Sequence, residues 1–205
     1  MRLAHRLVRH ELRLFASLVL WVARRTHGTR HGQAFGYARG QSAIMFGFMF
    51  VCVVETVVMS VLLYRWPTVH HVVLFIDVYS GVFFILGLHA ASVVRPHVLE
   101  PGVLRIRYAA HVDVRVPLGR IAAVRRELRT AHDKADGELN VAVGGQTTVT
   151  LELAEPVTHV TFLGRRREVS LVRLYSDETD ALVQALGPEV TRARSAPSPL
   201  PDLPA

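Results

Sequence analysis

Cysteine and lysine each occur once in these 205 residues, as Cys52 and Lys134. A lone cysteine excludes an intramolecular disulfide and any cysteine-based zinc site, and Cys52, inside an apolar run, reads as a small buried thiol. The single lysine stands against 23 arginines, a bias read as codon composition that carries no nucleic-acid inference. Catalytic motifs are missing too. There is no Walker loop, no GxGxxG after a strand and no GxSxG elbow, and His10-Glu11-Leu12 does not continue to HExxH. The eleven histidines lack ligand spacing: His70 and His71 are adjacent, His5 and His10 share the arginine side of a helix, and His27 and His31 have no cysteine or carboxylate nearby. His89 reads as a hydrogen-bonded residue near the inner end of a span. No catalytic residue, cofactor or metal site is expected, and the chain is read as non-enzymatic.

What is present is unevenly placed. Half the residues are apolar and the formal net charge is +7, a balance that excludes wholesale disorder. The apolar excess is concentrated in residues 42–94, whereas nearly all arginines lie outside it. Ser42 to Tyr64 is 23 residues with one charge, Glu55, and about 20 residues cross the hydrocarbon as a helix. Twelve of the 23 are Ile, Leu, Phe or Val. Each contributes at most about −0.3 to −0.6 kcal/mol near the centre, against roughly +2.5 to +3.5 for an acid, so the apolar sum wins. Val69 to Val94, carrying Asp77 and His89, forms a second such stretch and closes at Arg95-Pro96. Arg65, Trp66 and Pro67 make the turn between them. That turn holds one arginine, while Arg24, Arg25, Arg30 and Arg39 precede the first span and Arg95, Arg105 and Arg107 follow the second. The positive-inside bias predicts a two-helix hairpin in the cell (inner) membrane, with the N-terminus and everything after residue 94 cytoplasmic.

Residues 1–41 read as a basic amphipathic helix followed by a loop. At 100° per residue Arg2, Arg6, Arg9 and Arg13 share one face, and Leu7, Leu14, Phe15, Leu18 and Val22 the opposite one. This arginine stripe predicts a helix lying on an anionic inner leaflet. The alternative is a helix packed on the protein's own cytoplasmic domain, and Glu11, projecting into the apolar face, fits the lipid reading poorly.

After Arg95 the period drops to two, the signature of β-strands, at 103–108, 112–116, 121–129, 139–143, 147–153, 159–163 and 169–175. Pro and Gly turns separate them. Ser176 then caps a helix whose apolar stripe is Leu182, Val183 and Leu186 and which is expected to end at Gly187-Pro188. From 188 to 205 the Pro-, Ala- and Ser-rich tail is expected to be disordered. This order over residues 97–187, with the opening HVLEPGVLRIRYAAHVDVRVPLGRIAAVRRE, resembles the bacterial pleckstrin-homology-like (PH-like) domains. These are small β-barrels closed at one end by a C-terminal helix and often attached to pairs of membrane spans. The chain as a whole is also similar to bacterial two-span membrane proteins that carry such a domain. The resemblance implies an α+β membrane protein with a seven-stranded PH-like β-barrel, and a role in binding rather than catalysis.

Two features within this plan could carry function. Glu55 lies nine residues inside Tyr64 and Asp77 eight inside Val69, which puts both carboxyls about 12 to 14 Å deep in an antiparallel hairpin. Facing one another in low dielectric they would share a proton and form a proton or cation site. The structural alternative is that each is neutral and hydrogen-bonds across the helices to Thr56, Ser80 or Tyr79. Arg165, Arg166 and Arg167 read as a solvated loop that could also touch anionic headgroups. The expected function is a scaffold that presents its domain to a protein partner or anionic lipid, with the bilayer and a second copy through the spans as further partners and no nucleic acid. The alternative is a small proton or cation transport component using Glu55 and Asp77.

Overall fold

The computed structural model describes residues 2–29, 32–109, 112–131, 135–161 and 165–195, with the side chains of residues 1–10 and of Ser80 outside that description. Two helices are long and apolar enough to cross a membrane. The first is α2 (Arg39–Leu62). The second runs from Pro67 to Val94 as α3 (Pro67–Asp77), a π-helical turn (Val78–Phe83) and α4 (Phe84–Val94). Pro67 opens α3 in the first turn, where a missing N–H leaves no helical bond unmade. Phe48, Phe50, Val57, Val61, Leu62 and Phe75 are all more than half exposed. A soluble monomer rarely tolerates more than a few hundred Å² of such contiguous apolar surface.

Helix α1 (Arg2–Val22) packs against α4. It buries Leu14 and Ser17, and a side chain at Gly87 would meet the Leu14 Cβ at 3.3 Å, so glycine sets the close approach. Leu14 also meets Ala91 and Ala109. Leu12, Phe15, Val19 and Val22 stay exposed along one stripe. The apolar arc seen in the sequence is therefore divided, with Leu14 and Leu18 turned to the second span and Phe15 and Val22 turned outward. Glu11, the misfit of that arc, accepts a hydrogen bond from the Tyr79 hydroxyl at 3.1 Å. The side chains of Arg2, Arg6 and Arg9 lie outside the described residues, and Arg13 is exposed.

The β region is two four-stranded sheets. The first is antiparallel in the order β1 (Gln33–Phe35), β2 (His97–Glu100), β3 (Val103–Tyr108), β4 (Val112–Pro117). The second has the order β5-β7-β8-β6, from β5 (Ile121–Arg129), β6 (Glu138–Val141), β7 (Thr147–Val160) and β8 (Arg166–Leu174), with β6 parallel to β8. One core joins them: Leu104, Ile106 and Val116 from the first sheet, and Val149, Leu151 and Val172 from the second, meet Leu182 and Leu186 of α5 (Thr179–Ser195). The fold is thus α+β with two candidate spans.

Several expectations require correction. In place of seven strands closing a barrel there are eight described strands in two sheets that are not closed on one another. The chain leaves the first sheet at Pro117 and turns through Leu118–Arg120 into the second. The segments 147–153 and 159–163 belong to one bent strand, up to residue 160, whose register with β8 shifts between Glu152 and Val157, around Pro156, which has no N–H to give the ladder. Helix α5 does not stop at Gly187 but carries Pro188 inside it and ends at Ser195. Val190 continues the stripe of Leu182 and Leu186 at a four-residue step and is buried, and the Thr191 hydroxyl satisfies the Gly187 carbonyl at 3.0 Å. Packing of this extra turn outweighs the hydrogen bond that Pro188 removes. Residues 196–205 lie outside the described residues.

The largest departure is β1, which precedes the hairpin in a region expected to be loop. Gln33, Ala34 and Phe35 pair with Leu99, Val98 and His97, directly after the second span. The helical hairpin is therefore inserted between two adjacent strands of one sheet. Gly32 makes this possible, because a Cβ there would sit 2.3 Å from the Leu99 carbonyl oxygen. Gly32→Val is expected to cost about 1–3 kcal/mol by pushing β1 off its partner, read as a lower thermal midpoint of the detergent-solubilised chain.

Candidate functional site

The strands on either side of the hairpin lead into a buried polar node. Tyr37 is fully buried two residues after β1; its hydroxyl accepts the Ala109 N–H at 2.7 Å, and its ring lies 4.8 Å from the His97 imidazole. His97 is also fully buried. Its Nδ1 accepts the Arg107 amide at 3.1 Å, so that nitrogen carries no proton, and its Nε2–H donates to the Tyr175 carbonyl at 3.0 Å. Those partners assign the neutral Nε2–H tautomer. Burial carries the imidazole down to about 4; the Tyr175 carbonyl opposes that fall and the Arg107 charge adds to it. Burial pushes the Tyr37 hydroxyl up.

Further bonds tie the two helix ends together. Gln41 Nε2 donates to Ser92 Oγ at 2.8 Å and its Oε1 accepts from Tyr108 at 3.3 Å. The Asp177 N–H donates to Gly36 at 2.8 Å, and its carboxylate accepts the Arg39 amide at 3.2 Å.

Beside this node opens a cleft of about 320 Å³ whose polar lining is Arg13, His27, Arg95, Arg105, Arg107 and Asp113. Arg95 is the first residue past α4, Arg105 and Arg107 alternate on β3, Asp113 stands opposite Arg107 on β4, and Arg13 comes from α1. Arg105 is paired with the carboxylate bidentately, at 2.7 and 2.6 Å. Burial pushes the Asp113 carboxyl up, but Arg105, with Arg107 and Arg115, brings it below the usual carboxylate range. Arg107 donates to the carbonyls of His27 at 2.7 Å and Gly28 at 3.4 Å, which fixes its fork without cancelling its charge. The Arg95 Nε is buried with no hydrogen-bond partner among the described residues. Burial lowers both guanidinium groups, Arg13 adding to the effect at Arg95 and Arg105 at Arg107. Both stay charged nonetheless. His27 is lowered by burial, then by Arg95 and Arg107, which favours a neutral ring that can serve as a donor. Four guanidinium groups thus face one carboxylate, an arrangement suited to holding an anion.

The acids of the spans also come together. Glu55 and Asp77 line one groove with Cys52 and Gly81, where a Gly81 side chain would meet Cys52 Cβ at 3.1 Å. Asp77 Oδ2 is buried without a partner among the described residues, and the π-helical turn begins immediately after it. Of the partners expected for these acids, the Thr56 hydroxyl donates to Cys52 O at 2.8 Å and Tyr79 to Glu11; the Ser80 side chain lies outside the described residues. Arg165, Arg166 and Arg167 are exposed, at the opposite end of the β7–β8 ribbon from Tyr175, whose ring abuts Gly40 at the start of α2. They do not join the cleft. Among the described residues no three His, Cys, Asp or Glu side chains converge as a metal site requires.

In the sequence Arg95, Arg105 and Arg107 register only as a charge bias and His27 as loop. The available signal was an arginine at the exact end of a span followed by two more at alternate positions of the next long strand.

The neutral His97 sets an acid dependence. Its folded pKa is about 4 against an ordinary 6.5, so the unfolded chain binds the extra proton between those values. The stability that His97 contributes is complete above pH 6.5 and is lost progressively down to about pH 4, amounting to about 3 kcal/mol. Thermal midpoints measured across that range should fall steeply for the natural chain and less steeply for His97→Gln.

No family model, curated protein or solved structure matches this chain, and its chemistry rests on these residues alone.

Proposed function

We propose that the chain is a non-enzymatic integral protein of the cell (inner) membrane that holds a PH-like binding domain against the cytoplasmic leaflet and presents it to a protein partner. The observation that carries this reading is the β1–β2 pairing across the hairpin. Strands on both sides of the spans are bonded into one sheet, so the two ends of the hairpin share a side of the bilayer, and the arginine bias makes that side cytoplasmic. The exposed apolar surface of the two helices supports insertion. Two sheets around one core with a C-terminal helix packed on it support the PH-like assignment.

In a Cys52→Ala background, Thr68→Cys should react with a membrane-impermeant thiol reagent on intact cells, and Gln146→Cys only after permeabilisation. The reverse pattern would contradict the orientation. For the partner, in-cell crosslinking of the natural chain should recover a protein that is lost when Arg165–Arg167 or other exposed positions of the β sheets are changed to Glu without loss of folding. Recovery of self-crosslinks alone would count against the scaffold role.

A second reading draws on the orphaned Asp77 Oδ2 beside a π-helical turn in the groove shared with Glu55, since such turns often mark functional sites. Here an oligomer of hairpins conducts protons or cations through the acid pair. Purified protein in liposomes would then give proton flux that disappears in Glu55→Gln, Asp77→Asn; flux absent from the natural chain removes the reading.

A further inference from the structure

The arginine cleft deepens the membrane reading and rests on it. Three observations converge there. First, Arg95 directly follows the last residue of a helix long enough to span the bilayer, a position at the level of the phosphates when that helix is inserted. Second, Arg95 and Arg107 hold no carboxylate among the described residues. Asp113 is engaged by Arg105, Arg107 donates to the His27 and Gly28 carbonyls, and Arg95 keeps a buried Nε with no partner among the described residues. A buried donor of that kind is destabilising unless something accepts its hydrogen bond. Third, the cleft takes Arg13 from α1, a helix that packs on α4 at the end of the second span, so it adjoins the membrane-spanning hairpin. A phosphate held by these arginines would sit beside the end of the second span, at the level of the lipid headgroups when that helix is inserted. The volume, about 320 Å³, is within the ~300–1,000 Å³ range of small-molecule sites.

We infer that the cleft between α1, the end of the second span and the β3–β4 hairpin is a binding site for a phosphate-bearing anion, filled from the inner leaflet by the headgroup of an anionic phospholipid. Arg95 and Arg107 are the principal phosphate ligands. Arg107 is pre-oriented by the His27 and Gly28 carbonyls, Arg95 gains an acceptor for its guanidinium, whose Nε has none among the described residues, and neutral His27 adds a donor without charge. Arg105 is held by Asp113 and supplies field rather than direct contact. The anion relieves the repulsion among clustered guanidinium groups and so ties α1, the spans and the β domain together.

The test is native mass spectrometry of the full-length chain in detergent, titrated with dioleoyl-phosphatidylglycerol against dioleoyl-phosphatidylcholine, with and without inorganic phosphate. One phosphatidylglycerol should be retained preferentially. Arg95→Gln should weaken that retention about tenfold, Arg95→Lys less, and Arg194→Gln, exposed on α5 outside the cleft, not at all. Unchanged thermal midpoints show that the variants fold. If inorganic phosphate displaces the lipid or protects the natural chain but not Arg95→Gln, without any headgroup preference, the anion site stands and its source is a soluble phosphate. Equal retention of both lipids with no phosphate effect overturns the inference, and so does an equal loss in Arg95→Gln and Arg194→Gln, the signature of diffuse charge. A chain that fails to co-float with neutral vesicles overturns the membrane reading itself, whereas co-flotation without phosphatidylglycerol preference overturns only the site.

Discussion

Three residue pairs, Gln33 with Leu99, Ala34 with Val98 and Phe35 with His97, hold the start and the end of the helical hairpin side by side. A three-residue strand is too short to persist alone, and its surroundings show what retains it. Phe35 enters the common core, Tyr37 binds the backbone of Ala109, and Gly36 accepts from Asp177 just ahead of α5. His97 reaches β3 through Arg107 and the end of β8 through Tyr175. The entry to the hairpin is thus bonded to both sheets and to the segment that opens α5. With those bonds in place the two spans cannot swing independently of the β domain, and Gln41 with Ser92 closes the same seam one turn deeper.

This constraint also explains the electrostatics. Arg95, Arg105 and Arg107 repel one another, and a flexible linker after the second span would let them separate. The ladder and the His97 node forbid that, because Arg107 donates its amide to His97 while its side chain is fastened to His27 and Gly28. The crowding of guanidinium groups follows from the hairpin's insertion, and the anion proposed for the cleft is what would stabilise it. The acids in the spans reach one groove for a simpler reason, since an antiparallel hairpin with a short turn sets their depths equal.

Much of the molecule was legible from local pattern. The two spans follow from length and hydropathy, and β3 and β5 from alternation over 103–108 and 121–129. What was not legible depends on partners distant in sequence. β1 is three residues long without a usable period, and its existence depends on a strand on the far side of two membrane helices. Pro188 reads as a helix stop until Val190 finds a place in the core, and Pro156 reads as a strand end until β7 is seen to bend through it. The cleft was hidden for the same reason: its arginines come from α1, from the residue after α4 and from β3, and each alone looks like a topology signal or a solvated charge. The equal depth of Glu55 and Asp77, which line one groove, was accessible because it needs only helix rise.

The pairing of β1 with β2 across the hairpin is the constraint from which the rest of the architecture follows. The most direct measurement is disulfide trapping in cells of Ala34→Cys with Val98→Cys, the native cysteine replaced by alanine, followed by proteolytic cleavage in the loop between the spans. Opposed residues in such a ladder have Cα atoms about 4.5–5.5 Å apart, within reach of a disulfide. The account predicts that oxidation joins the two positions quickly and that the cleaved fragments stay linked until reduced, while Gln33→Cys with Arg105→Cys, which are not paired, remain unlinked. Fragments that separate under oxidising conditions, or equal trapping by both pairs, would contradict it.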